Sequence, residues 1–199
     1  MNKRIVHDAL ILTAFTLALG LVLGLVYWVT KDPIDKANEE IKQAAYREVF
    51  ENATDFEELE YDEEKASQIV ADGGYSDTID AVIAAKDSSG ILGYVITVTA
   101  KDGSQGAITF SVGIQNDGTV NGYSITEIAE TPGLGMKAQE EAFYSQFQNK
   151  KVSDFTVVKQ APAAENEIES ITGSTITSKA MANGCNAAIL YFQTELGGE

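Results

Sequence analysis

One cysteine, one histidine, three prolines and a shortage of basic side chains constrain this 199-residue chain before any motif is considered. With Cys185 alone, no intramolecular disulfide, four-cysteine zinc site or self-contained iron–sulfur cluster can form. The single histidine, His7, precedes the first apolar run, so the domain that follows has no histidine for a metal centre or a catalytic dyad. Lys and Arg number 14 against 30 Asp and Glu, a formal net charge of −16 at pH 7. A surface so poor in cations cannot neutralise phosphates at useful density, which excludes nucleic acid as a partner. The length accommodates one ordinary domain and one additional segment, and no multidomain enzyme.

What is present begins with Ala9 to Val29, an unbroken uncharged run rich in Leu and Val. As a helix it spans about 31 Å, the thickness of a bilayer core. A signal peptide is the competing reading, but its apolar region is about 7 to 15 residues long and ends at a small-residue cleavage site. This run is longer and leaves through Tyr27 and Trp28, whose rings favour a membrane interface, with no such site behind them. A lipoprotein signal would need a cysteine near its end, where there is none. Lys3 and Arg4 precede the span and acids follow it, so the positive-inside rule puts the N-terminus in the cytoplasm. The expected division is residues 1–31, a cytoplasmic N-terminus and transmembrane anchor, and residues 32–199, an extracytoplasmic domain. That domain carries 29 acidic and 11 basic side chains, a net charge of −18. Such a charge either serves solubility alone or holds the domain off anionic headgroups unless a protein partner retains it.

Asp32-Pro33 has the form of a helix start, an N-cap acid followed by Pro at the first helical position. Ile34, Ala37, Ile41, Ala45 and Val49 then recur at helical spacing and predict a helix to about Phe50. Residues 51–65, ending in FEELEYDEEK, read as a solvated loop or helix face. From Ile79 to Glu130 the period changes to two. Segments 80–87, 91–100, 107–115 and 119–130 predict strands separated by turn residues, hence an antiparallel meander. Residues 138–148, with Ala142, Phe143 and Phe147 on one face, predict a helix, and 155–159 a strand. Residues 178–194 predict a closing helix whose buried face carries Met181, Cys185, Ala188, Ile189 and Phe192. Cys185 in that stripe reads as a small core hydrophobe rather than a redox thiol. The fold class is α+β: one N-terminal transmembrane helix followed by a mainly antiparallel-sheet domain with flanking helices.

Two segments carry more than scaffold chemistry. In Glu130-Thr131-Pro132-Gly133-Leu134-Gly135, the T-P-G-L order fits a type II turn, whose third residue needs positive φ. A turn alone would explain it. In the segment from Glu169 to Ser178, five of the last seven side chains are hydroxyls. Thr177 or Ser178 capping the closing helix would explain part of that. A glycine-containing, hydroxyl-rich loop entering a helix is also suited to a phosphate, because free N–H groups and the positive helix end face it. No Walker-type Lys follows the glycine, so triphosphate hydrolysis is not supported. The pattern suits a held cofactor rather than a transferred phosphoryl group.

ETPGLG at 130–135, followed about forty residues later by Thr172-Gly173-Ser174-Thr175-Ile176-Thr177-Ser178, resembles the covalent-FMN subunits of membrane electron-transfer complexes. These are the G subunit of the Rnf ferredoxin:NAD oxidoreductase and its relative, the C subunit of the sodium-pumping NADH:quinone oxidoreductase. The resemblance extends to the single span, the T-x-x-P-I start at Thr30 to Ile34, the strand turn Val112 to Gly118 and the Phe143 and Gln146-Phe147 helix. Compactness and length favour the Rnf member. The resemblance implies FMN joined through its phosphate to the Thr175 hydroxyl, installed by a flavin transferase. Thr172, Gly173, Ser174 and Thr177 would lie around the attachment point, and Glu130, Thr131, Leu134 and Gly135 would form the facing wall. The motif departs from the usual pattern at Glu169, Thr172 and Ser174, each change keeping charge or small size. Implied partners are the other membrane subunits of an ion-translocating complex, including a second covalent-flavin subunit. The chain would carry electrons between them, with no catalytic residue or metal of its own. Two other readings stand beside this one: the quinone-reductase C subunit, and a membrane-anchored module binding a free anionic ligand.

Overall fold

The computed structural model describes residues 3–197. The chain divides into two compact units, Met1–Lys42 and Gln43–Glu199. Helix α1 (Lys3–Val49) makes up the first unit, and its end belongs to the second. An 18-residue window of α1 has a mean hydropathy of 2.5, and its Leu, Val, Phe and Trp side chains between Ile5 and Val29 face outward. With no protein against them, those side chains suit lipid.

The predicted helix start at Asp32-Pro33 is not one, because Pro33 lies inside α1. Proline there cannot donate to the Val29 carbonyl. That carbonyl sits where the apolar run ends and water can take it, and Lys31 pairs with Asp35 across the proline at 2.9 Å.

In the second unit, β1 (Asp55–Leu59), β2 (Thr78–Asp87), β3 (Gly90–Ala100), β4 (Ile108–Gln115) and β5 (Val120–Ile128) form one antiparallel sheet in sequence order. The four strands read from the period of two are all present. Strand β1 corrects the reading of residues 51–65 as loop or helix face, while helix α2 (Glu63–Asp72) bears it out at the exposed Glu63, Glu64 and Lys65. Backbone pairing to β2 makes β1 an edge strand although its acids stay in solvent, and the Lys86 ammonium pairs with Glu57 across it. Asp62 caps α2 by accepting from Lys65 N at 3.0 Å. The predicted 138–148 helix is also corrected. It resolves into a 3-10 turn (Gly135–Gln139), the single-turn α3 (Glu141–Tyr144) and a second 3-10 turn (Ser145–Phe147). Phe143 and Phe147 enter the core as expected, but Tyr123 Oη donates to the Ala138 carbonyl at 2.7 Å and ties the first turn to β5.

Alternation along the strands produces two cores. One face puts Val82, Ile96, Val98, Phe110 and Val112 beneath helix α4 (Thr175–Tyr191), and the other puts Ile83, Ala85 and Val95 against Tyr46, Val49 and Phe50. Close approach is permitted by glycine on both faces. A Cβ on Gly184 of α4 would lie 2.5 Å from Phe110 Cζ, and one on Gly113 of β4 would lie 2.8 Å from Val49 Cβ. Strand β6 (Thr156–Val158) pairs in parallel with β7 (Glu167–Glu169), and buried Asn186 of α4 clamps both backbone groups of Phe155 beside them, at 2.7 and 3.0 Å. Cys185 is fully buried on α4, and burial pushes its thiol pKa far up, so it remains an unreactive core group.

Two outcomes follow from this packing. Gly113→Ala should destabilise the domain by about 1 to 3 kcal/mol through overpacking against Val49, read as a lower denaturant midpoint of the detergent-solubilised chain. Wild-type Cys185 should resist alkylation until the chain is unfolded, and Cys185→Ala should leave far-ultraviolet circular dichroism unchanged.

Candidate functional site

The polypeptide between β5 and the first 3-10 turn meets the polypeptide entering α4. Thr131 to Leu134 form the predicted turn, with Leu134 N donating to the Thr131 carbonyl at 3.1 Å and Gly133 at φ +74°. Positive φ at the third position is what a type II turn demands and why glycine stands there. Nothing lies within 4 Å of a Cβ built on Gly133, so its requirement is conformational. Gly135 is different. A Cβ there would stand 2.5 Å from Glu130 Oε2 and 2.8 Å from Thr177 Oγ1, so glycine is what allows the two segments to touch. Gly173, at φ +81°, completes the contact, because a Cβ on it would lie 3.2 Å from Leu134 Cδ2.

Helix α4 begins at Thr175, three residues earlier than the expected start at Ser178, and Ser174 occupies the N-cap position. Thr175 is therefore the first residue of the helix and not a turn ahead of it. Ser178 and Thr177, expected as caps, bond inward instead. Ser178 Oγ donates to the Ser174 carbonyl at 2.9 Å and accepts from Ile171 N at 2.9 Å, closing the loop on itself. Thr177 and Ser174 share a hydrogen bond at 2.8 Å between their hydroxyls, both buried. Ser174 places no side-chain cap on the first turn. Its leading N–H groups therefore keep their donor capacity for a ligand, and the helix dipole gives that end a partial positive charge.

The loop hydroxyls thus divide in two groups. Ser174, Thr177 and Ser178 are consumed by the fold, while Thr172 is exposed and Thr175 partly so, with no hydrogen bond to either side chain among the described residues. Leu134, which lies against Gly173, and Ile176, next to Thr175 in the chain, are 43% and 60% exposed and present apolar surface in an otherwise acidic domain. Thr131 is exposed on the turn. Glu130 is buried at 5% exposure and accepts from Ser104 N at 2.6 Å and Gln105 N at 3.4 Å, so its carboxylate binds the 101–107 loop.

Sequence reasoning missed that loop, and it missed the side chains that hold the hydroxyl segment. Gln146 clamps Glu169 through both backbone groups, accepting from its N–H at 2.7 Å and donating to its carbonyl at 3.3 Å. Ile176, between the two threonines, carried no signal beyond its place in the motif. Two recesses of the domain lie elsewhere, one lined by Asp117, Lys151 and Phe192, another by Glu48, Gln115 and Gln148. Thr175 is partly exposed.

A partly exposed hydroxyl at a helix N-terminus without a side-chain cap, with exposed apolar side chains at Leu134 and Ile176, fits a group with an anionic phosphate and a flat apolar ring. Residues 103–190 match the FMN-binding domain family, and residues 1–49 match the RnfG N-terminal region. The chain is 33% identical to the G subunit of the Na(+)-translocating ferredoxin:NAD(+) oxidoreductase complex of Acetobacterium woodii, over 96% of this chain and 93% of that one. It is 31% identical to the G subunit of the proton-translocating ferredoxin:NAD(+) oxidoreductase complex of Clostridium ljungdahlii, over 90% of this chain and 87% of that one. The crystal structure of the C subunit of the Na(+)-translocating NADH-quinone reductase from Parabacteroides distasonis shares the fold, with a TM-score of 0.51 and 20% identity over 74% of this chain and 80% of that one. The chain belongs to the RnfG/NqrC family of FMN-binding subunits of ion-translocating oxidoreductase complexes. It is anchored by one membrane-spanning helix and carries FMN through its extracytoplasmic domain.

The two glycines of the turn separate conformation from contact. Gly133→Val should cost about 1 to 3 kcal/mol of backbone strain and leave the fold intact. Gly135→Ala should displace Glu130 or Thr177 directly. Both should alter the visible absorption or loading of the flavin while far-ultraviolet circular dichroism stays near wild type. Unchanged spectra and loading in both variants would reduce ETPGLG to a turn.

Proposed function

We propose that this chain is the electron-carrying G subunit of an Rnf-type ferredoxin:NAD oxidoreductase, with FMN held by a phosphoester to Thr175. The observation that carries the assignment is the division of hydroxyls: of the two that the described residues leave unengaged from Thr172 to Ser178, Thr172 and Thr175, only Thr175 stands on the first turn of α4, whereas Ser174, Thr177 and Ser178 are spent on the fold. The relatives that match most of its length are G subunits, which favours the Rnf complex over the quinone-reductase complex.

Each residue then has a task. First-turn N–H groups of α4 and the helix dipole stabilise the phosphate, by about 0.3 to 1 kcal/mol for the dipole alone. Gly173 lets the backbone lie close to it. Leu134 and Ile176 offer apolar contact to the ring system, and Thr131 with the turn backbone offers polar contact at its edge. The flavin supplies reversible electron transfer when bound, and the protein contributes its position and surroundings. An ester bond suits an open site outside the cytoplasm, where a dissociated flavin could not be replaced. A flavin transferase is the partner in maturation. The membrane subunits of the complex, including a second covalent-flavin subunit, are the partners in electron transfer.

Intact-mass analysis after co-expression with a flavin transferase should show a gain of one FMN less one water. Thr175→Ala should abolish that gain with the fold unchanged, and Thr172→Ala should retain it. Flavin mapped to Thr172 or Thr177 would move the attachment point, and no mass gain in the wild type would refute the covalent reading.

A further inference from the structure

Asp77 precedes β2 and is only 4% exposed, yet its Oδ2 is buried with no hydrogen-bond partner among the described residues. Its other oxygen accepts from Lys101 N at 3.3 Å, where the chain leaves β3 to enter the 101–107 loop. A second bond joins the same two corners, from Ser76 Oγ to Asp102 at 2.7 Å. The far side of this loop is held by another buried carboxylate, Glu130, through the N–H groups of Ser104 and Gln105. Glu130 in turn abuts Gly135, against which Thr177 also packs. One short loop therefore hangs between two buried acids, one facing the Thr175 site and the other lacking a partner for half its carboxyl group.

We propose that Asp77 is a positioning residue for the Thr175 site: its protonation state decides how firmly the 101–107 loop is seated on Glu130, and so how the wall of Gly135 and Thr177 is held. The groups facing Asp77 are Lys101 and Asp102 from the loop and the neutral Cys185 thiol from α4. Desolvation is the main influence, opposed by the Lys101 N–H and charge and aided by Asp102, and together they push the Asp77 pKa up to about 6. Protonated, the carboxyl tolerates its dry surroundings. Ionised, it has one N–H partner and a bare buried oxygen, a state relieved by admitting water and loosening the Lys101 corner. The folded chain binds this proton more tightly than an unfolded chain, whose value is near 3.8. Stability from Asp77 is thus complete below that value and is lost as pH rises through about 6.

Only the last link rests on Thr175 bearing the flavin, and the earlier links belong to the unmodified chain. The test follows amide hydrogen exchange at Ser104 and Gln105 in the full-length Thr175→Ala chain in detergent. After correction for intrinsic rates, protection should fall by about tenfold between pH 5 and 7.5, because up to a factor of ten accrues per pH unit between the unfolded-chain value and the folded-state value and the profile levels off above the latter. Adding Asp77→Asn or Asp77→Ala should flatten the profile, whereas Asp102→Asn should keep the fall, displaced to lower pH. In the flavin-loaded wild type, the oxidised flavin absorption should shift over the same window, and in Asp77→Asn it should not. A level profile in the Thr175→Ala chain, or an equal fall in both Asp77 variants, overturns the seating role. A fall in protection with no flavin shift overturns the coupling to the site. Flavin attached at a residue other than Thr175 refutes the attachment assignment separately, because the exchange profile is measured without flavin.

Discussion

Helix α4 lies in the trough of the sheet with twelve of its 17 residues buried, and the position of the site depends on that packing. Gly184 seats against the ring of Phe110, so the helix cannot slide without driving backbone into an aromatic side chain. A helix fixed along its length has a fixed beginning. Thr175, as its first residue, is held in place by contacts several turns away, including those of Met181, Cys185 and Ala188. Thr175 consequently stands on a rigid element, although Thr131, Leu134 and Gly173 near it lie on loops.

The segments around Thr175 are secured by neutral groups. Asn186 holds Phe155, Gln146 holds Glu169, and Ser178 holds both Ile171 and Ser174. Hydrogen bonds between neutral groups, buried at Asn186 and Ser178 and exposed at Gln146, are not screened by salt as surface ion pairs are. The ion pairs of the chain, such as Lys65 with Glu195 and Lys151 with Asp117, are largely exposed and contribute little each. In a chain with twice as many acids as bases, an ion-paired loop would compete with many surplus carboxylates for few cations. Amides and hydroxyls avoid that competition, and the acidic surface remains outside the architecture of the site.

Glu130 and Asp77 are the exceptions, because each is a carboxyl group brought indoors. Glu130 receives backbone N–H groups, the arrangement that makes a buried carboxylate tolerable. Asp77 receives only one and keeps a bare oxygen. Their common attachment to the 101–107 loop ties that loop to the turn before Gly135, although it is remote from the hydroxyl motif in sequence.

The local pattern of residues by itself determined much of this protein. The uncharged run from Ala9 to Val29 specified the anchor, the period of two from Ile79 to Glu130 specified four of the five strands of the meander, and the Met181, Cys185, Ala188 stripe specified the buried face of α4. These are readable because burial is periodic along a single element. The Thr131 to Leu134 turn was readable because positive φ selects glycine. Other features follow from contacts that no local pattern contains. Strand β1 is held by backbone pairing to β2, and its solvated acids disguise it. The 138–148 segment breaks into short turns because β5 and the core claim its residues separately. Pro33 stays helical because the carbonyl it leaves without a donor lies where water can reach it. The start of α4 at Thr175, the meeting of Leu134 with Gly173, the clamps from Asn186 and Gln146, and the unpartnered oxygen of Asp77 each join residues from different elements. Residue types supplied the hydroxyls of this segment, and only the tertiary packing decided which of them the fold consumed and which it left unengaged.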